Sequence, residues 1–156
     1  MHADDGEPGR RGGEPGGPGE LGSDRPYPAL ARVVELLGQG EMMRALDELD
    51  SLLDSDDADL RPRAVLLLAR INEARGETEQ MLRAYQVAAA SGHPDVAPFA
   101  AVVLGGKLLE LGRLGPARRL FRQATDAADP EVRDAARSAL DAMPRPWPRW
   151  RLPRRR

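Results

Sequence analysis

The sequence predicts an all-α protein in which three helical hairpins stack in a row and one further helix closes the row. Three observations predict it: residue types recur at a fixed offset of 36, apolar residues inside each unit recur every three or four positions, and no stretch alternates with the period of two that marks a strand. The offset links Gly40, Gly76 and Gly112, then Pro26, Pro62 and Pro98, and then Ala64, Ala100 and Ala136. Leu68, Leu104 and Leu140 obey it, as do Leu49, Tyr85 and Phe121, and Ala88 with Ala124. Pro94 and Pro130 match, and each is followed by an acid and a valine, Asp95-Val96 and Glu131-Val132.

The elements follow in order: helices over 27–38, 41–54, 62–75, 77–91, 98–111, 114–128 and 131–142. A proline opens the first helix of each hairpin, where its missing N–H is no loss. Apolar residues then form a stripe, Val65, Leu68 and Ala69 in one unit and Ala101, Leu104 and Leu108 in the next. A glycine breaks the run, because a sharp reversal favours a residue free to take positive φ. The second helix carries Met81, Tyr85 and Ala88, or Ala117, Phe121 and Ala124, again on one face. Small alanines let helices approach, and the aromatic fills the space between hairpins. Pro94 and Pro130 end the second helices, and Pro98, four residues after Pro94, predicts a short turn before the next regular helix. The closing helix covers the last stacking face and shows a polar outer side with Arg133, Asp134, Arg137 and Asp141.

Composition bounds the ends. Residues 1–26 hold eight Gly, four Pro and six acids, with Met1, Ala3 and Leu21 as the main apolar content. Such a segment buries too little to offset its ordering entropy, so a disordered tail is expected rather than a signal peptide. The folded domain is expected over 27–143 and a second disordered tail over 144–156. No run of apolar residues is long enough for a membrane span. The absence of cysteine excludes disulfides and thiolate metal sites and suits the cytoplasm. A net charge of −2 hides an uneven distribution: residues 41–59 hold eight acids against Arg44 alone, while 144–156 hold six Arg and no acid.

The run Leu104-Gly105, Leu108, Gly112, Ala117, Phe121, Ala124 resembles the tetratricopeptide repeat (TPR) signature of large-small, large, Gly, Ala, aromatic, Ala. The second unit is looser, with Asn72 and Met81 at signature positions, and the first keeps Gly40, Ala45 and Leu49. The segment Ser91-Gly92-His93-Pro94-Asp95-Val96-Ala97-Pro98 resembles the inter-repeat segment of actinobacterial tandem-repeat proteins with 36-residue units. The resemblance covers roughly 26–142 and implies an α–α superhelix, a TPR-like solenoid, that acts as a binding module. It also implies that the first helix of each hairpin lines a concave groove. The equivalent positions are Tyr27, Arg63 and Phe99; then Leu30, Leu66 and Val102; then Val34, Arg70 and Gly106; then Leu37, Glu73 and Leu109. The Asn and Lys pattern with which some members clamp a terminal carboxylate is absent. The expected peptide-binding groove is therefore apolar with charges in its middle: Tyr27, Arg63, Leu66, Arg70, Glu73, Phe99 and Val102. Leu66 and Val102 equally suit packing between helices.

Catalysis is not expected. Of the two histidines, His2 and His93, the second lies in an inter-repeat turn where the next unit has Asp129, and it reads as a turn or cap residue. Gly105-Gly106-Lys107 falls inside a helix and is no phosphate loop; its glycines read as packing residues. No cofactor or metal is implied. The expected function is a protein–protein adaptor or scaffold whose groove holds a peptide or helix. The alternative is a polyanion-binding accessory protein, for nucleic acid or an anionic membrane surface. That role would fall to a tail of Arg145, Trp147, Arg149, Trp150, Arg151, Arg154, Arg155 and Arg156. There Arg supplies phosphate pairing, Trp supplies stacking, and the interleaved prolines favour extended chain.

Overall fold

A computed structural model describes residues 27–144. Among them are seven α-helices and no strand: α1 (Pro28–Gly38), α2 (Met42–Leu53), α3 (Leu60–Ala74), α4 (Thr78–Ala89), α5 (Val96–Glu110), α6 (Leu114–Ala124) and α7 (Pro130–Ala142). Among the described residues no helix is long and apolar enough to cross a membrane. Each helix packs on its neighbours in the chain, and α5 also touches α3 and α7.

The 36-residue period survives as geometry. Gly40, Gly76 and Gly112 take φ of +78°, +72° and +71°, values open to glycine and strained for other residues. At each, two backbone bonds close the helix end: Gly40 N to Leu37 O and Glu41 N to Leu36 O, Gly76 N to Glu73 O and Glu77 N to Asn72 O, Gly112 N to Leu109 O and Arg113 N to Leu108 O. This is the Schellman arrangement, and it satisfies carbonyls that the helix end leaves without partners.

The helix starts repeat as well, by a rule that the proline pattern does not show. Asp57, His93 and Asp129 stand 36 residues apart, and each side chain caps the backbone N–H groups two and three residues on. The caps place the starts of α3 and α5 at Leu60 and Val96, two residues before the expected boundaries. Pro62 and Pro98 therefore do not open their helices. They are third residues, still inside the first turn where no N–H has an intrahelical acceptor. The short turn expected up to Pro98 closes earlier, at Pro94 and Asp95. Proline does open α1 and α7, as Pro28 and Pro130.

The core runs through the row in contiguous clusters. Val33, Leu36, Ala45, Leu49, Ala64 and Ile71 join the first pair of helices to one side of α3. Leu66 and Ala69, on its other side, join Tyr85, Ala88, Val96, Ala100 and Leu104. Ala117, Phe121 and Met143 close the far end. About half of the buried apolar residues are alanine, so helix backbones approach closely and Tyr85 and Phe121 occupy the remaining depth.

Candidate functional site

The expected groove residues divide into buried and open ones. Leu66 is 1% exposed and belongs to the core, so it presents no side chain to a ligand. Arg63 is 8% exposed. Its guanidinium carbon lies 5.1 Å from the centre of the Tyr27 ring, and its Nη2 lies 3.5 Å from Asp95 Oδ2. These contacts tie the entrance of α1 to the starts of α3 and α5. Arg63 and Tyr27 thus form a seam between repeats, with Tyr27 half-buried. Beside them His93, 6% exposed, places its Nε2 3.1 Å from Asp59 Oδ1. Its Nδ1 accepts from the N–H groups of Asp95 and Val96, so Nε2 carries the proton and donates to Asp59. The expected turn or cap role is what this geometry shows.

The open part lies one and two turns further along α3 and α5. Arg70 is exposed. Glu73 accepts from Lys107 Nζ at 2.8 Å and from the Tyr85 hydroxyl at 3.1 Å. The Lys107 ammonium, with the Tyr85 hydroxyl and the nearby Arg70 charge, holds the Glu73 carboxyl below its ordinary range against the opposing effect of burial. Burial, and then the Glu73 charge and hydrogen bond, push the Tyr85 phenol up to about 12. Hydrogen bonding to Glu73 raises Lys107 in turn. Phe99 and Val102 are half-buried and rest on the core clusters, each with part of its surface open.

The two adjacent glycines of α5 differ. A Cβ on Gly105 would meet the Phe121 ring at 2.8 Å, so its small size is a packing requirement. Among the described residues a Cβ on Gly106 would meet nothing within 4 Å, so their packing does not require a glycine there. Gly106 shares its repeat position with exposed Arg70 and with Val34, which is 55% exposed.

Two features were not read from the sequence. Lys107, 34 residues after Glu73, bridges α5 to α3; its spacing, close to one repeat, was the available signal. The other is a cleft of about 440 Å³ between α4, α5 and α6. Leu82, Leu104, Leu108 and Leu120 line it, with Arg113 and Arg119 at its edge. Gln123 fixes one wall by donating from Nε2 to the Ala89 carbonyl at 2.8 Å. The cleft could not be read from the sequence because it arises between elements of different repeats.

The tail residues Arg145, Trp147, Arg149, Trp150, Arg151, Arg154, Arg155 and Arg156 lie outside the described residues. Of the acidic run, Asp57 caps α3 and Glu41 pairs with Arg44, while Asp47, Glu48, Asp50 and Asp54 are exposed. Among the described residues no group of three or more His, Cys, Asp or Glu side chains could hold a metal ion. Compared with family models, with curated proteins and with solved structures, the chain gives no match.

Proposed function

We propose that the protein is a TPR-like helical-repeat adaptor that binds a peptide or helix of another protein along the first helices of its hairpins, α1, α3 and α5. In this reading the row of helices is a short solenoid, and its setting is the cytoplasm, which a chain without cysteine suits. The observation that carries the proposal is the row Val34, Arg70 and Gly106: one repeat position on three helices, with two exposed side chains and empty space above the glycine. Glycine inside a helix costs about 1 kcal/mol relative to alanine, and no contact among the described residues offsets that cost here. Close approach of a ligand backbone would.

The site is Val34, Arg70, Gly106, Phe99 and Val102, with the Glu73–Lys107 pair presenting one carboxylate and one ammonium. Half-buried apolar residues supply anchors, and the pair fixes register through charge. Leu66 drops out, and Arg63 and Tyr27 support the site rather than form it.

The test uses a peptide selected against the protein from a random library. Replacing Arg70→Glu and Phe99→Ala together should weaken its binding about tenfold or more, measured by titration calorimetry, with the helical circular dichroism unchanged. An unchanged affinity would remove the assignment of this surface.

A further inference from the structure

The second helices of the first and third hairpins carry opposite charge at the same repeat positions. Glu41 corresponds to Arg113, Asp47 to Arg119 and Asp50 to Arg122, each 72 residues apart. Around α2, residues 41–59 hold eight acids and one Arg; around α6, residues 113–125 hold four Arg and no acid. Among the described residues Asp47, Asp50, Arg113 and Arg119 form no ion pair. Within one chain the two surfaces do not pack together, because α2 packs on α1 and α3 while α6 packs on α5 and α7.

Apolar shape matches the charge. The arginine surface borders the leucine-lined cleft of about 440 Å³, inside the range of roughly 300–1,000 Å³ typical of ligand pockets. The acidic surface carries protruding apolar side chains, with Met43 71% and Met42 38% exposed. Met43, Asp47 and Asp50 are spaced four and three residues apart, so they form one stripe on α2. Exposed methionine is a flexible side chain that adapts to an irregular apolar hollow. A net charge of −2 leaves little overall repulsion between copies.

We infer that the cleft between α4, α5 and α6 takes the α2 stripe of a second copy of this chain. Met43 enters the leucine floor, and Asp47 and Asp50 meet Arg119 and Arg113. The two surfaces differ, so the contact is heterologous: each bound copy offers its own cleft to the next, and assembly grows with concentration. The surface is separate from the one proposed above for peptide binding, so neither reading depends on the other.

Sedimentation velocity of the full chain over a range of concentrations tests this. At low salt the average mass should rise with concentration, and at high salt it should return to that of the monomer. Substitutions borrowed from equivalent repeat positions keep the fold safe. Arg113→Glu with Arg119→Asp should give a monomer at every concentration, and so should Asp47→Arg with Asp50→Arg. A chain carrying all of these changes should associate again, because both surfaces are reversed together. Three outcomes overturn the inference. One is a wild-type chain that stays monomeric at low salt, as it would if the acidic 1–26 segment filled its own cleft. Another is association that survives the arginine reversal, and is then carried by the basic 144–156 segment. The third is a fully reversed chain that stays monomeric.

Discussion

Phe121 lies directly over Gly105, so close that a Cβ on the glycine would stand 2.8 Å from its Cε1. The same pair of repeat positions holds Ala69 with Tyr85 and Val33 with Leu49, and all four of those residues are buried. From the first repeat to the third, the residue on the first helix shrinks while its counterpart on the second passes from aliphatic to aromatic. Gly105→Ala gains about 1 kcal/mol of helix propensity but crowds the ring, which costs about 1–3 kcal/mol. The net prediction is a loss of about 1 kcal/mol in urea unfolding. Combining it with Phe121→Leu should cost less than the two single changes added, by at least about 0.5 kcal/mol. Gly106→Ala, one residue on, should instead stabilise by about 0.5–1 kcal/mol, since its Cβ enters open space. Equal effects of the two alanines would contradict the packing described.

His93 caps α5 through Nδ1 and holds Asp59 through Nε2. His93→Ala should cost about 1–2 kcal/mol, because it removes a cap and leaves two N–H groups without their acceptor. His93→Asn should recover about half of that loss, since Asn caps nearly as well as the Asp at positions 57 and 129 but does not reach Asp59 in the same way. Ring nitrogen shifts measured by NMR should report the tautomer protonated at Nε2. Protonation at Nδ1 in the neutral ring would contradict the cap.

The Glu73–Tyr85–Lys107 group sets the shape of stability against pH. Tyr85 ionises at about 12 in the folded chain against 10.0 ordinarily. Above pH 10.0 the unfolded chain loses this proton while the folded chain keeps it, so stability falls from there to about 12. Lys107 acts in the same direction: its folded value is raised, and its contribution is lost as pH rises through that value. Glu73 acts on the acid side. Its folded value is lowered, so its contribution is present above its ordinary 4.5 and is lost as pH falls through the lowered value. Urea midpoints should therefore form a neutral plateau with a limb on each side. Tyr85→Phe should lower the plateau by about 0.5–1.5 kcal/mol and flatten the alkaline limb. An alkaline limb unchanged in Tyr85→Phe would assign it elsewhere.

Much of the architecture was legible in the chain because it is written as a repeat. Glycines 36 residues apart gave the turns, and the stripes around Tyr85 and Phe121 gave the buried faces. The helix starts were harder to read, because proline marked them less well than the caps did. Asp57, His93 and Asp129 share a role but not a residue type, and a lone histidine hides a cap among aspartates. Reading the groove from equivalent positions placed Arg70, Glu73, Phe99 and Val102 on accessible or half-open surface. It could not separate Leu66, because α3 is buried on two sides and shows no single apolar stripe. Nor could it show that Arg63 turns inward to Tyr27 and Asp95, since those contacts cross from one repeat to another.

Mapping a bound peptide on the surface of α1, α3 and α5 tests the proposed function most directly. Backbone NMR spectra of the protein titrated with a library-selected peptide should show the largest shifts at Arg70, Phe99, Val102 and Gly106, with Leu82 and Leu120 in the separate cleft unmoved. Gly106→Ala should weaken the same peptide while stabilising the protein. Shifts confined to the cleft between α4, α5 and α6, with no change at Arg70 and Gly106, would contradict the proposal.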